Sequence, residues 1–371
     1  MISVFKTLII AGARPNFMKV APIIRAIRTA GITPDASAGK LEYRLVHTGQ
    51  HYDGKMSDIF FSELGIPAPD INLGVGSGSH ATQTANVMTR FEAVCEEEKP
   101  HWIVVVGDVN STMACTLVGA KLGIKVAHVE AGLRSFDRTM PEEINRIVTD
   151  ALADLLLTPS RDGDENLVRE GVPASKIELV GNVMIDTLLA NLDKARASDL
   201  SRRLGLSARN FVYATLHRPA NVDTRDSLAP LMSEMKRLSH QLPVVFPMHP
   251  RTRKMCEQFG IPLSDTPELR LLEPIGYNDS LHLTENARFV LTDSGGLQEE
   301  STFFRTPCLT LRPNTERPVT ISTGSNKLTA LHTLSADIAV VLSHEKRLGE
   351  IPPLWDGHAA KRIVAALVAH S

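Results

Sequence analysis

At 371 residues the chain is too long for one compact core and points to two domains. Its 43% apolar and 22% charged residues are ordinary for a globular protein, and a net charge of −2 excludes the overall positive field of a nucleic-acid binder. An anionic ligand must therefore be held locally, by Arg, Lys, His and backbone N–H groups.

The N-terminal run M-I-S-V-F-K-T-L-I-I-A-G-A-R carries a lysine among its apolar residues. It has neither a signal-peptide layout nor the about 20 apolar residues of a membrane span, so we expect the first β-strand of a cytoplasmic protein with no membrane association. Strand-like runs follow at 6–13, 43–49, 102–108, 125–130, 155–160 and 176–181, then at 211–217, 243–248, 269–274, 288–294, 307–312 and 338–343. Helical patterns alternate with them, which predicts parallel sheets built from βαβ units. Residues 187–209 are polar and helix-prone without a strand. We therefore expect an α/β fold of two Rossmann-like, doubly wound domains, 1–186 and 187–371, with a ligand in the cleft they face. Residues 358–370 form a last helix able to pack on either domain. Cys95, Cys115, Cys256 and Cys308 form no C-x-x-C pair, so reduced thiols are expected, and no metal site.

The first strand leads into G-A-R-P-N-F-M-K, where Gly12 permits a turn and Pro15 suits a first helical turn. Arg14 and Lys19 thereby come near a helix N-terminus, a place for an anion, although solvated side chains beside an ordinary turn fit equally well. This is no G-x-G-x-x-G fingerprint, and a nicotinamide cofactor gains little support. In T-D-S-G-G-L-Q-E-E, Ser294, Gly295 and Gly296 open a helix whose first N–H groups could receive a diphosphate. Glu300, one turn further in, could accept from ribose hydroxyls; the plainer alternative is a serine cap with tight helix–sheet packing. His217 and His249 end strands and Arg317 lies in N-T-E-R-P, so each could meet phosphate oxygens, and a histidine could also shuttle protons. Three acids complete the set. Asp108 and Glu130 end successive strands, and Glu142 opens a helix in M-P-E-E-I-N-R. Asp108 could instead cap the next helix, and Glu142 suits a helix start without any function. Glu130, in E-A-G-L-R, has no such plain role.

Taken together, G-A-R-P-N-F-M-K, T-G-Q-H-Y, V-G-D-V-N-S-T, H-V-E-A-G-L-R-S-F-D-R, M-P-E-E-I-N-R, T-L-H-R, M-H-P-R-T, E-P-I-G-Y, L-T-D-S-G-G-L-Q-E-E and T-E-R-P resemble the non-hydrolysing UDP-N-acetylglucosamine 2-epimerases, over roughly residues 6–330. The resemblance implies a GT-B-like architecture and a cofactor-free, reversible conversion of UDP-GlcNAc to UDP-ManNAc. The route eliminates UDP to a 2-acetamidoglucal and adds it back. By motif, Asp108, Glu130 and Glu142 are the implied acid–base set, with His217 beside the diphosphate. Arg14, Lys19, Ser294, Gly295, Gly296 and Arg317 would hold phosphates, Glu300 the ribose, and Ile275 the uracil position. Gln50 and His51 match a family site for an activating second substrate, although Q-H-Y-D-G-K-M lacks that site's arginine. A homodimer is implied, with a UDP-sugar as the small-molecule partner. Alternatives are a 2-epimerase acting on a UDP-diacetamido uronic acid, a hydrolysing relative releasing ManNAc, a GT-B glycosyltransferase, and a UDP-sugar-binding regulator.

Overall fold

Apolar, β-branched runs such as Trp102–Val106, buried at every position, form the strands of two parallel sheets. The computed structural model describes residues 4–30, 40–49, 65–263, 266, 268–343 and 349–371, so Gln50 and His51 lie outside the described residues. The chain divides into two compact units: Met1–Thr187 with Pro353–Ser371, and Leu188–Pro352. The division falls inside the helix Val183–Arg196.

In unit one the strands are β1 (Val4–Ala11), β2 (Lys40–His47), β3 (Ile71–Asn72), β4 (Trp102–Val106), β5 (Lys125–Val129), β6 (Leu155–Thr158) and β7 (Ile177–Leu179), in the order β3-β2-β1-β4-β5-β6-β7. Unit two has β8 (Val212–Thr215), β9 (Val244–Pro247), β10 (Leu269–Leu272), β11 (Phe289–Thr292), β12 (Cys308–Leu311) and β13 (Asn326–Thr329), in the order β10-β9-β8-β11-β12-β13. Each sheet reverses its winding beside its first strand, between β1 and β4 and between β8 and β11. Such a switch point leaves a crevice beyond the carboxyl ends of the strands.

Register sets what meets there. Val106 pairs with Val129, so Gly107 lies alongside Glu130. Thr215 pairs with Thr292, which brings Asp293 within hydrogen-bonding reach of His217 N–H. The helices bury one face each: His80–Glu98 turns Val87, Phe91 and Cys95 inward, at helical spacing, and Ser79 caps its start by accepting from Thr82 N–H. Among the largest fully buried side chains are Trp102, Phe91, Phe211, Phe246 and Phe289, each contributing on the order of 2–3 kcal/mol through burial. The C-terminal helix Ala359–Ala369 packs on the first helix, Arg14–Ala30, and Asp186 accepts from its leading N–H groups, Ala359 at 3.1 Å and Ala360 at 2.8 Å.

One expected strand is absent. Residues 338–343 belong to the helix Leu334–Ser343, because Leu334, Asp337, Ile338 and Val341 are buried at helical intervals that the short run I-A-V-V-L hides. The edge strands β3 and β13 escape notice in the sequence, one for brevity and the other because N-K-L-T is half polar. All four cysteines are free and buried. No described helix is long and apolar enough to cross a membrane.

Candidate active site

In unit one the loop after β1 is shaped by Asn16, whose Oδ1 accepts from Gly12 and Ala13 N–H, both at 3.0 Å. Its amide donates to Val106 O at 3.0 Å and ties this loop to the end of β4. Arg14 heads the helix Arg14–Ala30; its side chain lies outside the described residues. One turn later Lys19 is buried, and its ammonium is paired with the Glu130 carboxylate, the two side chains being 8% and 3% exposed. Glu130 leaves β5 with φ of 72°, a left-handed conformation uncommon for a residue with a side chain. Its Oε1 is buried with no hydrogen-bond partner among the described residues. A buried carboxylate oxygen without a partner retains its capacity to accept a hydrogen bond.

Asp108 does not cap the helix Asn110–Leu122; Val109 holds the N-cap position, without a side-chain bond. The Asp108 carboxylate, 28% exposed, pairs with the buried Arg146, and Asn145 donates to Asp108 O at 2.9 Å. Arg146 also pairs with Glu143 at 2.6 Å. Glu143 accepts from Ser135 N–H at 3.0 Å and Phe136 N–H at 2.8 Å. Burial acts to raise the Glu143 pKa, but those donors and Arg146 hold it below the ordinary value. Glu142, the acid singled out in the sequence, is exposed in the same helical turn. The structure thus links Asp108, Arg146 and Glu143, joins Lys19 to Glu130, and leaves Glu142 at the surface.

Beneath these loops lies a buried ionic network. His128 Nδ1 is 2.6 Å from Asp150 and its Nε2 is 2.8 Å from Gly107 O. Asp150 also accepts from Arg134 at 2.7 Å and from Gly132 N–H at 3.0 Å, so it braces both acid-bearing strand ends. Burial acts to raise its pKa, but His128 and Arg134 bring it below the ordinary value.

In unit two, His217, His249, Ile275, Ser294, Gly296 and Glu300 line one cavity of about 320 Å³. Ser294 sits at the N-cap of the helix Gly295–Phe304 without spending its side chain on a cap bond, so the leading N–H groups retain their capacity for an anion. Gly295 stands beside Arg317: a Cβ there would lie 3.0 Å from Arg317 Nη1. Arg317 is anchored by Glu299 at 2.8 Å and by Glu316, which Arg312 also holds at 2.8 Å. Burial raises Glu300 to about 8, Glu299 adding to the effect and Tyr277 opposing it.

His217, 43% exposed, presents Nδ1 to the fully buried Asp293 at 2.9 Å. Burial acts to raise Asp293, but His217, Asn221 and the Arg218 N–H hold it below the ordinary value. Sequence reasoning passed over Asp293, although it ends a strand as Asp108 and Glu130 do. It also passed over Arg146 and Glu143, which share the buried face of an amphipathic helix. Among the described residues no cluster of His, Cys, Asp and Glu is arranged to hold a metal ion.

The comparisons agree with this picture. The family model for UDP-N-acetylglucosamine 2-epimerase matches residues 36–368. The UDP-N-acetylglucosamine 2-epimerase of Methanocaldococcus jannaschii is 40% identical over 98% of both chains. The UDP-2,3-diacetamido-2,3-dideoxy-D-glucuronate 2-epimerase of Pseudomonas aeruginosa is 41% identical over 87% of this chain and 88% of its own. The crystal structure of the M. jannaschii UDP-GlcNAc 2-epimerase in complex with UDP-GlcNAc and UDP superposes with a TM-score of 0.87 and 40% identity, covering 98% of this chain and 100% of that one. With two parallel α/β sheets, acids at strand ends and a full-length match, this chain belongs to the UDP-N-acetylglucosamine 2-epimerase family.

Proposed function

We propose that this enzyme interconverts UDP-GlcNAc and UDP-ManNAc, with Asp108 and Glu130 as the proton-transfer groups at C2. The C2 hydrogen adjoins no carbonyl, so its direct removal to an enolate is closed. Elimination opens another route. One carboxylate takes the C2 proton while the C1–O electrons pass to the β-phosphate, leaving a 2-acetamidoglucal and UDP. Re-addition reverses the flow, with a proton delivered to the opposite face of C2. The observation that carries this reading is Glu130: buried, paired with Lys19, and keeping one oxygen unused.

Ser294, Gly295, Gly296, Arg317, His217 and His249 are assigned to the diphosphate, Glu300 to the ribose and Ile275 to the uracil. Asp108 is the second proton-transfer group, held by Arg146. Arg14 and Lys19 are assigned to phosphate, and Glu142, exposed in the helical turn that carries Glu143, to the acid–base set. We assign the enzyme to the cytoplasm as a homodimer that needs no cofactor; the four unpaired thiols support the reducing compartment.

The test is product identity. Incubated with UDP-GlcNAc alone, the enzyme should yield UDP-ManNAc at equilibrium. Free ManNAc would make it a hydrolase, and turnover of only a UDP-diacetamido uronic acid would move the substrate to that sugar.

A further inference from the structure

We infer that Asp293 turns His217 into a proton-linked clamp, whose ring grips a nucleoside diphosphate only as the imidazolium, so that one proton enters the site with the ligand. The inference rests on the assignment of the unit-two cavity to UDP.

The Asp293 carboxylate, with no exposed surface, accepts from His217 N–H at 3.0 Å, Arg218 N–H at 2.8 Å and the Asn221 amide at 3.0 Å. Its other oxygen faces His217 Nδ1 at 2.9 Å. A carboxylate only accepts, so Nδ1 carries the proton. In the neutral ring Nε2 then bears a lone pair, which repels a phosphate oxygen. A second proton converts Nε2 into a charged donor, and the Asp293 charge stabilises the imidazolium that results.

His249 is arranged the opposite way. Its Nδ1 accepts from Arg251 N–H at 3.2 Å, so its neutral ring already carries a donor at Nε2. The two rings lie 5.8 Å apart in the same cavity. One histidine therefore carries a donor on its neutral ring, and the other offers a donor only with a charge.

Tyr213, Tyr277 and Glu300 line the same cavity as His217; Arg218 follows it in sequence, and Arg317 stands beside Gly295 at the helix end. A diphosphate bound at the helix end adds negative charge beside the ring and favours its imidazolium form. During elimination the C1–O electron pair adds negative charge to the β-phosphate, and the Nε2 proton stays in place to hold the departing UDP. Asp293 touches no substrate in this scheme; it is a positioning residue.

Glu300 is the other carboxyl able to exchange a proton near neutrality, so the test uses the Glu300→Gln chain. UDP binding is followed by calorimetry in buffers of different ionisation enthalpy. The expected result is net proton uptake on UDP binding, with affinity falling as pH rises. In Asp293→Asn/Glu300→Gln the amide can donate to Nδ1 and shift the ring proton to Nε2. Proton uptake should then largely disappear and the pH dependence flatten. Equal uptake with and without Asp293, or none in the parent, overturns the inference. Should the Asp293 variant fail to fold, the ¹⁵N shifts of His217 decide it: imidazolium in the UDP complex is expected, and a neutral ring protonated at Nε2 contradicts it. UDP that fails to bind the wild-type enzyme removes the cavity assignment as well, whereas UDP that binds without proton uptake removes this inference alone.

Discussion

A methyl group added to Gly107 would lie 2.7 Å from the Lys19 ammonium nitrogen and 3.6 Å from Glu130 Oε2. The missing side chain at the end of β4 is therefore what lets Lys19 reach Glu130. Gly107 also has φ of +66°, which disfavours any replacement. Gly107→Ala should cost more than about 1 kcal/mol of stability and reduce kcat by roughly 10²-fold through displacement of the pair. A variant of unchanged kcat would show that the close approach is incidental.

Arg146→Met tests the link between Asp108 and Glu143. Arg146 is fully buried, so its removal leaves Glu143 charged among backbone donors with no cation, and a loss of about 3–5 kcal/mol is expected. Denaturant titration measures this. At temperatures where the variant stays folded, kcat should also fall, since Asp108 loses the partner that orients it. A stable variant of normal kcat would contradict both roles.

Glu300 makes the free enzyme's stability depend on pH. Its folded pKa of about 8 lies above the ordinary 4.5, so the folded state binds the extra proton between those values. Stability from this group is therefore complete below about pH 4.5 and declines as pH rises towards 8, by an amount on the order of a few kcal/mol. Glu300→Gln, neutral throughout, should lose less stability than wild type between pH 5 and 8 while binding UDP more weakly. Parallel unfolding curves across that range would refute the buried neutral carboxyl.

Gly295→Ala puts a methyl group 3.0 Å from Arg317 Nη1 and 3.2 Å from Glu316 Oε1, at a helix start that otherwise suits alanine. We expect Tm to change little and UDP affinity to drop roughly tenfold, about 1.4 kcal/mol, as Arg317 is pushed from the helix end. Unaltered affinity would place the diphosphate elsewhere.

The acids and histidines at strand ends were legible because a parallel sheet sends every strand's carboxyl end to one side, and short apolar runs mark those ends plainly. Asp108, Glu130, His217 and Ser294 were found in this way. What stayed hidden was partnership. Nothing in M-P-E-E-I-N-R says which glutamate turns inward; burial of Arg146 selects Glu143 and exposes Glu142. Asp293 was hidden by its own motif, where the glycines after it drew the reading towards phosphate. The helix Leu334–Ser343 was misread because its apolar run is shorter than the two turns needed to show a helical period.

The proposed proton transfer at C2 is tested most directly by incubating UDP-GlcNAc with the enzyme in D2O and following C2 by proton NMR. Wild type should place deuterium at C2 of both epimers. Glu130→Gln and Asp108→Asn should keep UDP binding and lose exchange by roughly 10²–10⁴-fold. Epimerisation that retains the original hydrogen at C2, or exchange at near wild-type rate in both variants, would contradict the assignment of these carboxylates.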